Sequence, residues 1–223
     1  MKTLVKVCRV FDIETAEKLA RLGVQFIGLH AIFDRPNPQN TLAYNQIINT
    51  MRDSYPRTRT VLVTRLTEPK KLAQIYRKAP TDFVQISGPC PRSAKIKFLE
   101  LAQAVNKNVK IFNVISASEN LKINSEDIIG NYVVIDKEFA GGTGKLIPKQ
   151  TVSALTHALK GKTILLAGGV GRVDARQHIA GLSVDGIDVM SSLEFSKDDK
   201  RKDMRKVYAL LQNVWGDSVS DSV

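Results

Sequence analysis

Two hydrophobic patterns alternate along the chain. Short runs of apolar and β-branched residues, typical of buried strands, are separated by longer segments in which apolar residues return every three or four positions. The short runs predict eight strands, at 4–8, 24–29, 59–63, 82–86, 109–114, 132–135, 163–166 and 186–190. The amphipathic segments predict helices at about 13–22, 41–53, 68–79, 92–106, 151–160, 172–181 and 200–213, and a short or irregular helix at 117–129.

The spacing of these strands indicates the fold class. Successive strands begin about 20–30 residues apart, the length of one βα unit. Because βα units cross over with a right-handed turn, eight of them favour a single-domain (β/α)8 barrel over residues 1–223. A doubly wound open sheet is the alternative. No Gly/Ser-rich linker divides the chain, and residues from about 215 are predicted to form a flexible tail.

The composition excludes several classes of protein. Apolar residues make up 43% of the 223 positions and charged residues 25%, which rules out a disordered chain, a collagen-like fibre and a disulfide scaffold. No apolar run approaches the roughly 18 residues that span a bilayer, and Asp12 and Glu14 end the first apolar stretch too early for a signal peptide. The two cysteines have no metal-ligand spacing. We therefore expect a cytoplasmic protein without membrane contact.

The net charge points to an anionic ligand. Thirty-three Lys and Arg against 22 Asp and Glu give +11, and the sequence pI is near 9.7. Such an excess attracts phosphorylated metabolites, nucleic acid or acidic partners. Aromatic residues make up only 6% of the chain, too few for a platform that stacks single-stranded bases. The composition thus favours a phosphorylated small molecule as partner over nucleic acid.

A carboxylate followed by glycines ends the sixth predicted strand. Asp136 is followed by Gly141, Gly142 and Gly144, which permit positive φ and close approach of the backbone to a ligand. In a barrel of this class the loops after the strands carry the active site. The alternative is an ordinary surface loop that Asp136 caps.

Two further loops are suited to an anion. Gly168, Gly169 and Gly171 follow the seventh strand, and Ser191 and Ser192 follow the eighth. Backbone amides in such turns bind phosphate, and the loops after strands seven and eight hold a phosphate in many barrels. Ordinary turn chemistry would explain the same residues.

Cys8 ends the first strand between Lys6 and Arg9. It is either a small buried hydrophobic residue or a base, because positive neighbours lower the pKa of a thiol. His30 is the one histidine expected on the functional face, and core packing would account for it equally. Cys90 is assigned no role.

These segments together resemble the phosphoribosylanthranilate isomerase family of the tryptophan pathway. Six stretches correspond to its motifs in the same order: K-V-C at 6–8, L-G-V-Q-F-I-G-L at 22–29, V-Q-I-S-G at 84–88, V-I-D at 134–136 with G-G-T-G-K at 141–145, L-A-G-G-V at 166–170, and D-V-M-S-S-L-E at 188–194. The resemblance implies an Amadori rearrangement of a phosphoribosylated aromatic amine, without a metal or an organic cofactor, by a monomer or homodimer. It implies that Asp136 is the general acid, that Cys8 is the general base, and that Gly168, Gly169, Ser191 and Ser192 bind the phosphate.

The substrate-recognition residues depart from the family pattern. Arg9 and Ser192 stand where the family has glycine, and Ser87 stands where it has histidine. Arg35 lies two positions before the arginine that pairs with the anthranilate carboxylate in the family. We assign substrate binding to Arg35, with Arg9 as the reserve cation, and to Gly142. Two alternatives stay open: a paralogue that isomerises another sugar phosphate, and a catalytically silent barrel that binds a phosphate ligand.

Overall fold

The computed structural model describes residues 2–31, 38–117, 125–137, 146–172 and 174–216. Eight parallel strands pair in chain order, and β1 also pairs with β8, so the sheet is closed. The (β/α)8 barrel is confirmed and the open sheet is excluded. The strands are β1 Leu4–Cys8, β2 Phe26–His30, β3 Arg59–Thr64, β4 Phe83–Ile86, β5 Lys110–Ser116, β6 Tyr132–Asp136, β7 Thr163–Leu166 and β8 Gly186–Val189.

Seven α-helices lie in the described residues: α1 Ile13–Arg21, α2 Pro38–Ser54, α3 Pro69–Lys78, α4 Arg92–Ala102, α5 Lys149–Ala158, α6 Ala175–Ile179 and α7 Met204–Trp215. Between β5 and β6 the described residues contain only a 3-10 turn, Ser125–Asp127. Helix α7 begins four residues later than predicted, because the Asp203 side chain accepts a hydrogen bond from the amide of Arg205 and caps it there. Helix α6 is also shorter than predicted.

Alternate residues of each strand point into the barrel or out toward the helices. On β1, Val5 and Val7 pack in the outer core, whereas Cys8 belongs to the cluster inside the barrel. The first residues of β2, β4 and β6 are aromatic. Phe26 packs edge-to-face on Phe83, with ring centroids 5.5 Å apart, and Tyr132 packs on Phe83 at 4.8 Å. These rings pack against one another inside the barrel at the N-terminal ends of the strands.

The C-terminal helix is fixed to the start of the chain. The indole Nε1 of Trp215 donates to the carbonyl of Thr3 at 2.7 Å, and the Lys2 ammonium lies 3.6 Å from the centre of the same ring. The helix ends at Gly216, whose φ is 70°. Most of the predicted flexible tail, residues 217–223, lies outside the described part, so that expectation stays a prediction. No helix in the described ranges is long and apolar enough to cross a membrane.

Candidate active site

Cys8 lies inside the barrel beside a buried ion pair. The Lys6 ammonium is 2.6 Å from the Cys8 Sγ and 2.7 Å from the Asp188 Oδ2. The closure of the barrel brings the pair together, since Lys6 on β1 is in register with Asp188 on β8. Lys6 is fully buried and the Cys8 residue is 4% exposed. The three side chains form a buried polar cluster.

Burial dominates the acidity of this thiol. Desolvation, followed by the negative charge of Asp188, raises the pKa of Cys8 to about 12, although the Lys6 ammonium opposes both. The lowered pKa expected from the flanking cations is therefore wrong. The pKa of Lys6 is also raised, but for a different reason. Burial disfavours its charged form, whereas attraction to Asp188 and Cys8 favours that form and outweighs burial. The cluster thus keeps a cation next to a protonated thiol.

Gly28 on β2 makes room for the thiol. Its neighbour across the sheet is Cys8, and a Cβ at this position would lie 2.6 Å from the Cys8 Sγ and 3.1 Å from the Cys8 Cα. No real Cβ atom tolerates such contacts. Any larger residue at Gly28 would displace the thiol from Lys6.

Asp136 is the last residue of β6, which is separated from β1 by β7 and β8 around the barrel. Its Oδ1 accepts a hydrogen bond from the Lys137 amide at 2.6 Å, and the residue is half-buried. Tyr132 and Val134, at alternate positions of the same strand, border the interior cluster that contains Cys8. The strand period therefore directs Asp136 to the same inner face.

Arg9 adopts a backbone conformation that favours glycine. Its φ of 62° makes it the only non-glycine residue with positive φ among those described. Its guanidinium lies 3.0 Å from the Oε1 of Glu194, whose side chain is 2% exposed. The structure therefore places the reserve cation on a buried carboxylate of the β8–α7 loop. Arg35 and Gly142, the other two predicted substrate-binding residues, lie outside the described residues.

The cost of this conformation is measurable with two variants. Arg9→Ala removes the ion pair and keeps the left-handed strain, whereas Arg9→Gly removes the ion pair and relieves the strain. We expect Arg9→Gly to be the more stable of the two by about 1 kcal/mol. Urea unfolding of both proteins gives the difference. Equal stabilities would show that the backbone at this position relaxes when the arginine is lost.

Lys202 is a buried cation that the sequence reasoning did not single out. Its ammonium donates to the carbonyl of Met190 at 3.0 Å and to Glu194 Oε1 at 3.4 Å. Burial lowers the pKa of Lys202 to about 8, against the opposing charge of Glu194. The antiparallel bridge between Glu194 and Lys202 fixes this loop. In the sequence Lys202 is visible only as the last residue of the basic run Lys-Arg-Lys at 200–202, a pattern typical of a solvated surface.

The two predicted phosphate loops touch each other. Gly168 and Gly169 both have a φ of 79°, and Ser191–Leu193 forms a 3-10 turn. A Cβ at Gly171 would collide with the hydroxyl of Ser192. Ser192 does not have positive φ, so serine in place of the family glycine is unstrained here. Within the described ranges, no cluster of three His, Cys, Asp or Glu residues is able to hold a metal ion.

Comparison with known proteins identifies the family. A statistical model of N-(5′-phosphoribosyl)anthranilate (PRA) isomerase matches residues 5–213. The N-(5′-phosphoribosyl)anthranilate isomerase of Leptospira borgpetersenii serovar Hardjo-bovis (strain JB197) is 25% identical over 219 residues, covering 96% of this chain and 95% of that protein.

Two solved structures share the fold. Phosphoribosyl anthranilate isomerase from Thermus thermophilus has a TM-score of 0.72 at 20% identity, covering 94% of this chain and 97% of its own. A phosphoribosyl anthranilate isomerase in complex with reduced 1-(o-carboxyphenylamino)-1-deoxyribulose 5-phosphate has a TM-score of 0.62 at 17% identity, covering 96% of this chain and 99% of its own. Because the family model spans nearly the whole barrel, this chain belongs to the N-(5′-phosphoribosyl)anthranilate isomerase family.

Proposed function

We propose that the chain isomerises N-(5′-phosphoribosyl)anthranilate to 1-(o-carboxyphenylamino)-1-deoxyribulose 5-phosphate. The observation that carries this proposal is that Cys8 and Asp136 end β1 and β6 of one barrel. Cys8 belongs to the interior cluster, and the period of β6 directs Asp136 to the same face. An Amadori rearrangement needs one acid and one base on opposite sides of a sugar, and these two residues supply them. It requires no metal and no organic cofactor.

The two residues act in sequence on the ribose. Asp136 donates its proton to the ring oxygen, the C1′–O bond breaks, and a Schiff base forms at the amine nitrogen. Cys8 as thiolate then removes the proton from C2′, and the electron pair moves to give an enolamine. Tautomerisation of the enolamine gives the ketose. Each proton transfer of this kind contributes about 10²–10⁴-fold to the rate.

Asp188 explains how a thiol of such high pKa becomes a base. The Asp188 carboxylate raises the pKa of Cys8 through its negative charge. Its Oδ1 is buried and has no hydrogen-bond partner within the described part of the chain. We propose that Asp188 receives the thiol proton, while the Lys6 ammonium, 2.6 Å from Sγ, stabilises the thiolate that remains. The proton then moves within the cluster rather than into water.

The phosphate of the substrate is proposed to bind between the loops after β7 and β8. Backbone amides of Gly168 and Gly169, which have positive φ, together with Ser191 and Ser192, form a turn surface suited to an anion. We place the reaction in the cytoplasm, where both free cysteines stay reduced. Analytical ultracentrifugation distinguishes the two proposed assemblies, a monomer and a homodimer.

A direct assay tests the function. We expect the purified chain to convert N-(5′-phosphoribosyl)anthranilate to the ketose, and its gene to restore tryptophan-independent growth to a strain that lacks this isomerase. Cys8→Ala, expressed at the same level, is the negative control. Turnover only of an arylamine analogue without the ring carboxylate would indicate the paralogue. Binding without turnover of either compound would indicate the silent barrel and overturn the proposal.

A further inference from the structure

His30 ends β2 with an unsatisfied side chain. Both ring nitrogens are buried, and neither has a hydrogen-bond partner among the residues that the structure describes. The backbone at this point is held, because the Tyr44 hydroxyl donates to the His30 carbonyl at 2.9 Å. Buried polar atoms in native proteins almost always have a partner. Two orphaned nitrogens on one ring indicate that the partner is a ligand.

The charges around His30 indicate what that ligand carries. Burial first, and then the positive charges of Lys6, Arg9, Lys202 and Arg65, hold the pKa of His30 well below its usual range. The imidazole is therefore neutral, with one nitrogen donating and the other accepting. Asp188 pairs with Lys6, and Glu194 pairs with both Arg9 and Lys202, so these three cations face two carboxylates. An anionic group fits this surrounding field.

The strand order gives the direction in which the substrate extends. The sheet runs β7, β8, β1, β2, β3 around this side of the barrel. If the phosphate binds at β7 and β8 and the sugar lies between Cys8 on β1 and Asp136 on β6, the other end of the substrate is directed to the opposite strands, of which β2 is the nearest to Cys8. That end carries the aromatic ring and its carboxylate.

We propose that the His30 imidazole donates a hydrogen bond to the ring carboxylate of the substrate and so determines specificity for the aglycone. This inference rests on the proposed function. It assigns the carboxylate to a residue at the end of β2, in place of the assignment to Arg35 made from the sequence. Arg65, which directly follows β3 (Arg59–Thr64), adds positive charge on the same side.

A ligand comparison tests the assignment. The probes are reduced 1-(o-carboxyphenylamino)-1-deoxyribulose 5-phosphate and the same compound without its ring carboxylate, each titrated calorimetrically. We expect His30→Leu to weaken binding of the first compound by about 10–100-fold, as for one lost hydrogen bond to a charged group, and to leave binding of the second unchanged. His30→Gln, which keeps a donor, should recover part of the loss. The thermal midpoint of His30→Leu should not fall, because the variant removes two unsatisfied polar atoms.

Another histidine provides the control variant, and ¹⁵N-histidine spectra provide a second measurement. His178→Leu removes a ring whose Nε2 is likewise buried without a partner among the described residues, but in α6, away from β2; it should change neither affinity. Only three histidines occur, so ¹⁵N-histidine spectra should show one ring, that of His30, shifting with the first compound.

Three results would overturn the inference. If His30→Leu bound both compounds as the wild type does while the wild type isomerised the substrate, the inference would fail and the proposed function would stand. If Arg35→Ala no longer distinguished the two compounds while His30→Leu still did, the ring carboxylate would be assigned to Arg35 instead. A wild type that neither binds the first compound nor turns over the substrate would end both proposals.

Discussion

Replacing Cys8 with alanine, or Asp136 with asparagine, is expected to lower kcat by about 10²–10⁴-fold while the protein stays folded. Each change removes one proton-transfer group. Asparagine keeps the side-chain oxygen that accepts from the Lys137 amide, so the end of β6 should hold its shape. Alanine at position 8 leaves a small gap beside Lys6 and should cost about 1 kcal/mol of unfolding free energy.

Steady-state kinetics and urea unfolding of the same preparations separate catalysis from packing. Cys90→Ala is the matched control, because Cys90 lies in the loop after β4, outside the interior cluster and half-buried against the outer core. It should leave kcat unchanged and lower the unfolding free energy by no more than about 1 kcal/mol. A fall in unfolding free energy large enough to explain the lost activity would make Cys8 and Asp136 core residues. Full activity in either variant would remove that residue from the mechanism.

Lys6→Met is expected to lower the unfolding free energy by about 3–5 kcal/mol and to abolish turnover. Methionine fills much of the same volume, but it leaves the Asp188 carboxylate buried without its cation. Lys6 is fully buried and its ammonium lies 2.7 Å from Asp188, so little water is available to solvate the orphaned charge. The same substitution removes the ammonium that lies 2.6 Å from the Cys8 Sγ; among the described residues, no other ammonium forms a hydrogen bond with this sulfur.

A double variant separates the two effects. Lys6→Met combined with Asp188→Asn removes both charges at similar volume and should recover most of the lost stability, since a buried pair contributes little net free energy beyond its own desolvation. Turnover should stay lost, because neither the proton acceptor nor the stabilising cation is present. Recovery of turnover in the double variant would exclude Lys6 and Asp188 from the chemistry. Chemical denaturation and single-turnover kinetics provide both measurements.

The hydrophobic periodicity of the sequence predicted which segments form the strands and helices of the barrel, but it did not predict the bounds of every one. The strand at 4–8 and the strand at 163–166 were predicted with the bounds that the structure shows. Their apolar runs are short and end at turn residues, so the period and the boundary agree. The segment at 172–181 was predicted as one helix, whereas the structure has a 3-10 turn at Val170–Arg172 and a short helix after Asp174, whose side chain caps it at Gln177. The side chain of Asp174 sets where this helix begins, although the apolar spacing predicted an earlier start.

The sequence by itself determined the order of the βα units and the placement of Cys8 and Asp136 at strand ends, because both follow from local periodicity. Only the tertiary structure decided what surrounds these residues. Lys6 and Asp188 are 182 positions apart, and Arg9 and Glu194 are 185 apart, so both pairs exist only because β8 closes on β1. The pKa of Cys8 was mispredicted for the same reason. Flanking charges are visible in a sequence, but the desolvation that outweighs them arises only when the barrel closes and water leaves its interior.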